Sequence, residues 1–267
     1  MSATDVNQTL ANYLRQLRLP SFRNHYEADA RRAEKETHSY EQYLLELASR
    51  ECQTRQTNRI QTRLRQSRLP LEKTLDSFKM KRLPTKVARQ VRSLLDGSFI
   101  DRKENLLAFG KPGSGKTHLL AGIGQALIQQ GRSVYFRSCS LLVQELLIAK
   151  RDLKLSRYLK RLARFEAIVI DDIGYVEQSR EEMEVLFTLL AERYERGSVL
   201  LTSNLPFSKW ESIFKDPMTT AAAIDRLVHH SVILELNIKS FRLEEALQAN
   251  QEKQEGQPDQ QTLGKEN

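Results

Sequence analysis

The chain has 267 residues, of which 40% are hydrophobic and 28% are charged, a balance typical of a folded protein with a sizeable core. Its apolar runs are far shorter than the ~20 residues of a membrane helix, and its first residues do not resemble a secretion signal. The two cysteines, Cys52 and Cys139, lie far apart in the chain. These features exclude membrane and disulfide-rich classes, and we expect a reduced, cytoplasmic protein without a membrane partner.

Positive charge is concentrated in one segment of the chain. Residues 50–103 contain fifteen Lys or Arg and five Asp or Glu, a net charge of +10 that exceeds the +8 of the whole chain. Such asymmetry favours a polyanionic partner, most often nucleic acid, over the alternative of a solvated helix face.

The first 69 residues show helical spacing of apolar residues, interrupted at Pro20. Ser39 and Gln42 form a predicted capping box at the start of a helix that continues to about residue 68, before Pro70. The second half of this helix is almost entirely polar, so it needs a partner to be stable. Three arginines spaced four apart share one face and are candidate DNA contacts: Arg55, Arg59 and Arg63.

From Asn105 onward, near-continuous apolar runs alternate with helical segments. This pattern predicts an α/β fold with a five-stranded parallel sheet covered by helices. The predicted strands are 105–110, 133–138, 167–172, 198–204 and 231–236, and the predicted helices are 116–130, 140–150, 156–163, 180–196 and 217–228. The glutamine-rich segment 248–267 is predicted to be a disordered tail.

The sequence GKPGSGKT, from Gly110 to Thr117, follows a predicted strand and opens a predicted helix, which is the context of a phosphate-binding loop. Backbone N–H groups of such a loop and the helix N-terminus bind phosphate oxygens. Lys116 is expected to reach the β- and γ-phosphates, and the Thr117 hydroxyl to bind Mg²⁺. The predicted nucleotide-binding set is Gly110, Lys111, Pro112, Gly113, Ser114, Gly115, Lys116, Thr117 and His118.

Polar residues end two further strands. In AIVIDD, Asp171 comes at the carboxyl end of a buried strand and is expected to hold Mg²⁺, while Asp172 is the candidate to polarise the attacking water. In SVLLTSN, Asn204 is the candidate to orient that water or contact the γ-phosphate, with Thr202 and Ser203 as alternatives.

Two arginines near the last strand are further candidates. Arg226 is expected to act in trans on a neighbouring subunit's nucleotide, with pairing to Asp225 as the alternative, and Arg242 is a candidate γ-phosphate contact in cis. The Asn-Lys-x-Asp sequence that reads guanine does not occur, which favours ATP. The five histidines show no spacing typical of a metal site, and Trp210 and Phe214 are expected in the core.

The ordered motifs GKPGSGKT, VIDDIG, LTSN and AIDRL resemble those of AAA+ ATPases. Together with TLDSFKMKRLP and AAAIDRLVHHS, they are similar over residues 5 to 245 to the IstB family, the ATPase helpers of bacterial insertion sequences. The resemblance implies a small all-α N-terminal domain before an AAA+ core. It also implies ATP-dependent self-assembly on duplex DNA, remodelling of that DNA and delivery to a partner transposase.

The resemblance also assigns regions. Residues 1–69 are the helical domain that binds DNA or a partner, 70–104 a basic linker that packs on the core, 105–247 the ATPase core and 248–267 the tail. So little chain follows the last strand that a full C-terminal helical lid is not expected. The helices between the second and third strands match an insertion that faces DNA in relatives. The remaining candidate DNA contacts are Lys79, Lys81, Arg82, Lys154, Arg157 and Lys160.

Three functions fit the motifs to different degrees. A DNA-assembled, Mg²⁺-dependent ATPase that regulates transposition accounts for both basic segments and for an arginine acting in trans. The alternative is a DnaC-like replicative helicase loader with its partner surface in residues 1–50. A small-molecule kinase ranks last, because the basic N-terminal block has no role in it, and we expect the chain to be neither a nuclease nor a transposase.

Overall fold

The computed structural model describes residues 3–174, 179–210, 217–238 and 240–241. The chain packs as two compact units, Met1–Arg63 and Leu64–Asn267. The domain boundaries at 69/70 and 104/105 stay predictions. Arg242, Phe214 and the tail 248–267 lie outside the described residues, as does the chain in which a lid would be found. No helix in the described ranges is both long and apolar enough to cross a bilayer.

The first unit is built from helices α1 (Ala3–Gln16) and α2 (Pro20–Lys35) and most of α3 (Tyr40–Ser67). The predicted capping box at the start of α3 is confirmed: the Ser39 N–H donates to Gln42 Oε1 at 2.9 Å and the Gln42 N–H to Ser39 Oγ at 3.3 Å. The buried Glu51 carboxylate accepts from the Ser21 N–H at 2.8 Å, which satisfies a free donor in the first turn of α2.

The second unit contains the predicted five-stranded parallel sheet, with strand order β2-β3-β4-β1-β5. The strands are β1 (Asn105–Phe109), β2 (Val134–Ser138), β3 (Ala167–Ile173), β4 (Ser198–Ser203) and β5 (Ser231–Glu235). The helices are α4 (Thr85–Leu94), α5 (Ser98–Asp101), α6 (Lys116–Gln129), α7 (Cys139–Arg151), α8 (Leu155–Leu162), α9 (Arg180–Arg193) and α10 (Pro217–Val228). Short 3₁₀ helices cover Met80–Arg82 and Phe207–Lys209.

The central strands are apolar because both faces of the sheet are covered. Leu106, Val169 and Leu200 are completely buried, and so are Leu107, Ile168 and Leu201, which belong to the same core cluster as Trp210. The burial of Trp210 was expected from the sequence. Parallel strands place their carboxyl ends at one edge of the sheet, so the residues that follow β1, β3 and β4 meet there.

The buried Asn105 side chain connects elements at the opposite edge of the sheet. The Asn105 amide donates to the Leu227 carbonyl at 3.0 Å and its oxygen accepts from the Val199 N–H at 2.9 Å, which ties β1 to β4 and to the end of α10.

Helix α9 ends at Arg193 rather than at the predicted residue 196, because Tyr194 is extended and Glu195 is left-handed.

Candidate nucleotide site

The loop between β1 and α6 has the backbone that a phosphate-binding loop requires. Gly113 and Gly115 have φ values of +78° and +87°, which residues with a Cβ rarely adopt. A Cβ on Gly113 would lie 2.0 Å from Ser240 Oγ, and one on Gly115 would lie 2.9 Å from the Phe78 ring. Both glycines are therefore required by conformation and by close approach.

Lys116 is the first residue of α6 and is only 5% exposed. Its ammonium donates to the carbonyls of Gly110, at 2.8 Å, and Lys111, at 3.1 Å, so the side chain folds back over the loop. The buried Ser114 hydroxyl has no hydrogen-bond partner among the described residues. A buried cation and an unused hydroxyl beside a helix N-terminus fit a polyphosphate.

Asp171 joins three elements at the carboxyl edge of the sheet. Its Oδ1 accepts from the Thr117 hydroxyl at 2.9 Å and from the Thr202 hydroxyl at 2.7 Å. Burial raises the pKa of this carboxyl above its ordinary value, against the opposing effect of the two hydroxyl donors. A hydroxyl and a carboxylate oxygen held at hydrogen-bonding distance are suitable ligands for one Mg²⁺ ion.

Asp172 takes a left-handed backbone conformation, with φ of +59°, where the pairing of β3 with β4 is interrupted between Ile170 and Ile173. Its N–H donates to Thr202 Oγ1 at 2.8 Å. The exposed Asp172 therefore lines the same cleft as Asn204, whereas Asp171 points into the buried strand pair. Thr202, weighed in the sequence only as an alternative to Asn204, contacts both acidic residues.

The cleft has a volume of about 370 Å³ and is lined by loop residues, by Thr117, Asp172 and Asn204, and by a wall that the sequence did not reveal. That wall is formed by Lys73, Ser77, Phe78, Lys79 and Phe241. Most of it belongs to residues 69–83, which we call the wall segment. The one local signal was Phe78, an isolated aromatic residue in a basic run.

Side chains of α6 hold the wall segment in place. His118 Nε2 lies 2.8 Å from the Thr74 carbonyl and 3.1 Å from the Ser77 hydroxyl. Two turns further along α6, the Gln125 amide donates to the carbonyls of Pro70 and Lys73, each at 3.1 Å. The helix that opens at the phosphate loop therefore also positions the opposite wall of the cleft.

Two of the predicted DNA contacts, Lys79 and Arg82, lie close to the phosphate loop, and their contact with DNA stays a prediction. Lys79 lines the cleft, and the Arg82 guanidinium lies 3.9 Å from the centre of the Phe241 ring. The Phe241 N–H in turn donates to the Gly113 carbonyl at 2.9 Å. These contacts arise because the wall segment folds back on the phosphate loop. Lys81, between them, is exposed.

Arg226 is not among the described residues that line the cleft. Its guanidinium lies 4.5 Å from the centre of the Phe187 ring, and its buried Nη1 has no hydrogen-bond partner within the described ranges. No pairing between its side chain and that of Asp225 is found there.

The other predicted DNA contacts lie on two helices. On α3, Arg55 donates to Glu51 Oε1 at 2.8 Å and is a structural residue of the first unit, whereas Arg59 is exposed. Arg63 is partly buried on the same helix. At α8 the predicted contacts are all exposed: Lys154, Arg157 and Lys160.

The sequence shows no spacing typical of a metal site, but the structure brings two of the five histidines together with an acidic residue. His229 and His230 lie beside Glu195, with their ligand atoms within 4.8 Å of one another. The partners come from distant parts of the chain, so their spacing in sequence carried no signal.

The comparisons of this chain with known proteins all point to one family. The model of the IstB-like ATP binding proteins matches residues 12–249. A putative insertion sequence ATP-binding protein of Sinorhizobium fredii is 40% identical over 88% of this chain and 80% of its own length. The putative ATP-binding protein of insertion sequence IS5376 from Geobacillus stearothermophilus is 37% identical over 94% of this chain and its own full length.

Solved structures share the fold. The DnaC helicase loader aligns with a TM-score of 0.54 over 63% of this chain and 97% of its own, at 19% identity. The replication initiator DnaA, solved with AMPPCP and single-stranded DNA, aligns with a TM-score of 0.55 over 69% of this chain and 56% of its own, at 16% identity. The second unit therefore has the fold of these AAA+ proteins.

Proposed function

Because the chain belongs to the IstB-like ATP-binding proteins of insertion sequences, we propose that it is a Mg²⁺-dependent ATPase that regulates transposition. In this proposal ATP binding drives self-assembly on duplex target DNA. The assembled protein remodels the DNA and recruits or stimulates a partner transposase, and hydrolysis returns it to the unassembled state.

One observation carries the ATPase part of the proposal: Thr117 and Thr202 both donate to Asp171 Oδ1. These two hydrogen bonds connect the helix that follows the phosphate loop, strand β3 and strand β4 through Asp171. Mg²⁺ bound there by the Thr117 hydroxyl and the Asp171 carboxylate would neutralise charge on the β- and γ-phosphates. The burial that raises the pKa of Asp171 also favours a bound cation.

The other residues of the cleft have separate roles. Lys116 would exchange its carbonyl partners for phosphate oxygens, and Asp172 would orient the attacking water from its left-handed position. Asn204 would hold that water or the γ-phosphate. Phe78 and Phe241 provide an apolar wall for the nucleoside, with Lys79 beside it.

Arg226 would complete the site of a neighbouring subunit. Among the described residues, its side chain is not part of the cleft lining and its Nη1 has no hydrogen-bond partner. An arginine supplied in trans stabilises the charge that develops in phosphoryl transfer, so hydrolysis would require assembly.

The DNA part of the proposal is supported by exposed basic residues. In this proposal the exposed Arg59 on α3, and the exposed Arg157 and Lys160 on α8, contact DNA phosphates. Contacts of this kind give binding that tolerates many sequences and weakens with salt, which suits a protein that selects target DNA.

The proposal is tested by fluorescence anisotropy of a labelled duplex with and without Mg²⁺-ATP. Lys116→Ala should remove the ATP-dependent increase in binding while the fold is unchanged, and Lys35→Ala, an exposed residue of α2, is the control. ATP-independent binding by the wild-type protein would contradict the coupling. Binding only in the presence of a replicative helicase would instead support the DnaC-like alternative.

The DNA surface needs its own variants. Arg157→Ala with Lys160→Ala should weaken binding with little sequence bias and flatten the dependence of log K on log salt by about 2, one for each lost phosphate contact. Arg59→Ala should flatten it by about 1. An unchanged slope in both variants would show that these side chains are only solvated.

A further inference from the structure

Three exposed side chains converge at the edge of the sheet opposite the nucleotide cleft. Glu195 follows α9, and His229 and His230 follow α10. Their turns precede β4 and β5, so the cluster lies at the amino ends of the strands, while the phosphate loop lies at the carboxyl ends. The ligand atoms of the three residues lie within 4.8 Å of one another. In the described ranges, no other group of three or more His, Cys, Asp or Glu comes so close.

We propose that Glu195, His229 and His230 bind a Zn²⁺ ion, with water in the fourth position. Two imidazole nitrogens and one carboxylate oxygen are a common ligand set for zinc with an open coordination site. Tetrahedral bonds of about 2.0–2.2 Å place ligand atoms about 3.3 Å apart. The three side chains are exposed, so small rotations bring their atoms from the observed separations to that distance.

Tyr194 orients one of the ligands, His229. Its hydroxyl lies 3.1 Å from His229 Nδ1, which leaves Nε2 as the nitrogen available to bind the ion. Such a hydrogen bond to the second ring nitrogen fixes the orientation of a metal-binding histidine. The His229 and His230 rings meet edge to face, with centroids 4.1 Å apart, so the two ligands already share one space.

A bound ion would connect the ends of two helices that belong to different parts of the chain. Helix α10 carries Arg226 one turn before His229, and α9 carries Phe187, on whose ring the Arg226 guanidinium lies. The ion would therefore stabilise the contact between α9 and α10. Zinc binding itself depends only on the three ligands and is independent of the proposed ATPase activity.

The test uses the untagged full-length protein, stripped of metal with a chelator and studied without nucleotide. Titration with Co²⁺ should produce the visible absorption of a tetrahedral site, and calorimetry with Zn²⁺ should give one ion per chain. At 100-fold excess over Kd, Zn²⁺ should raise Tm by roughly 5–10 °C.

Variants connect the binding to these ligands. His229→Gln with His230→Gln should reduce Zn²⁺ affinity at least 100-fold, and Glu195→Gln should reduce it at least 10-fold. His25→Gln, an exposed histidine of the first unit, is the control and should bind as the wild type. All three changes are at exposed positions, and circular dichroism checks the fold. Absence of saturable binding by the wild type, or equal affinity in the double variant, would overturn the proposal.

Discussion

Thr202→Val is the most direct test of the site's construction. Valine has nearly the shape of threonine and suits a buried strand, so the change removes the hydroxyl and little else. That hydroxyl donates to Asp171 Oδ1 at 2.7 Å and accepts from the Asp172 N–H at 2.8 Å. Thr202 is completely buried and its bond to Asp171 is buried with it, so water does not replace that bond.

The size of the destabilisation follows from the two hydrogen bonds that the variant loses. The bond to a carboxylate is worth about 1.5–3 kcal/mol, and the partly buried Asp172 N–H, left without its acceptor, costs about 1 kcal/mol. The valine methyl recovers about 1 kcal/mol of apolar burial. We therefore expect a net loss of about 1.5–3 kcal/mol in the free energy of unfolding.

The assay is urea unfolding followed by Trp210 fluorescence. Trp210 is the single tryptophan and is completely buried in the second unit, so it reports on the unit that contains Thr202. Thr202→Ser is the matched control, because it keeps the hydroxyl and loses only a methyl group, at about 1 kcal/mol. The serine variant should also keep most of the ATPase activity, whereas the valine variant should lose kcat as Asp171 and Asp172 shift.

Equal stability of the valine and serine variants, within about 0.5 kcal/mol, would refute this reasoning. It would mean that the hydroxyl does not hold the two acids in solution. If the valine variant is destabilised yet hydrolyses ATP at the normal rate, the structural role of Thr202 stands. Its role in positioning Asp172 for catalysis is then refuted.

Two further predictions concern the acid on β3 and the arginine on α10. Burial raises the pKa of Asp171, so the native state keeps this proton to higher pH than the unfolded chain, and stability should fall as pH rises above about 4 through the folded pKa. Asp171→Asn should lack this decrease in urea unfolding, and parallel pH profiles of the two proteins would contradict it. Arg226→Ala and Lys116→Ala subunits should each be inactive alone and regain ATPase activity when mixed, since one supplies the cleft and the other the arginine. Failure of mixing to restore activity would argue against action in trans.

The sheet could be predicted because its signals are local. Each strand is a short apolar run, and the polar residues after β1, β3 and β4 come soon after it in sequence, so the chain alone predicts that Lys116, Asp171 and Asn204 lie at one edge of the sheet. Parallel pairing then brings those ends together whatever the details of the loops.

The wall of the cleft could not be predicted because its contacts are distant in the chain. His118 and Gln125 hold the wall segment through its backbone carbonyls, which carry no sequence signal. Charge alone therefore assigned Lys79 and Arg82 to DNA. Similarly, nothing in the order of residues shows that Thr202, rather than its polar neighbours, contacts both acids.

The hydrogen bond from the Phe241 N–H to the Gly113 carbonyl has a consequence for synthesis of the protein. The phosphate loop leaves the ribosome long before Phe241, which completes one wall of the cleft. A nascent or truncated chain can therefore contain the whole GKPGSGKT sequence and still lack a finished nucleotide site. Premature termination before Phe241 should yield subunits that fold their sheet but do not compete for ATP with intact copies.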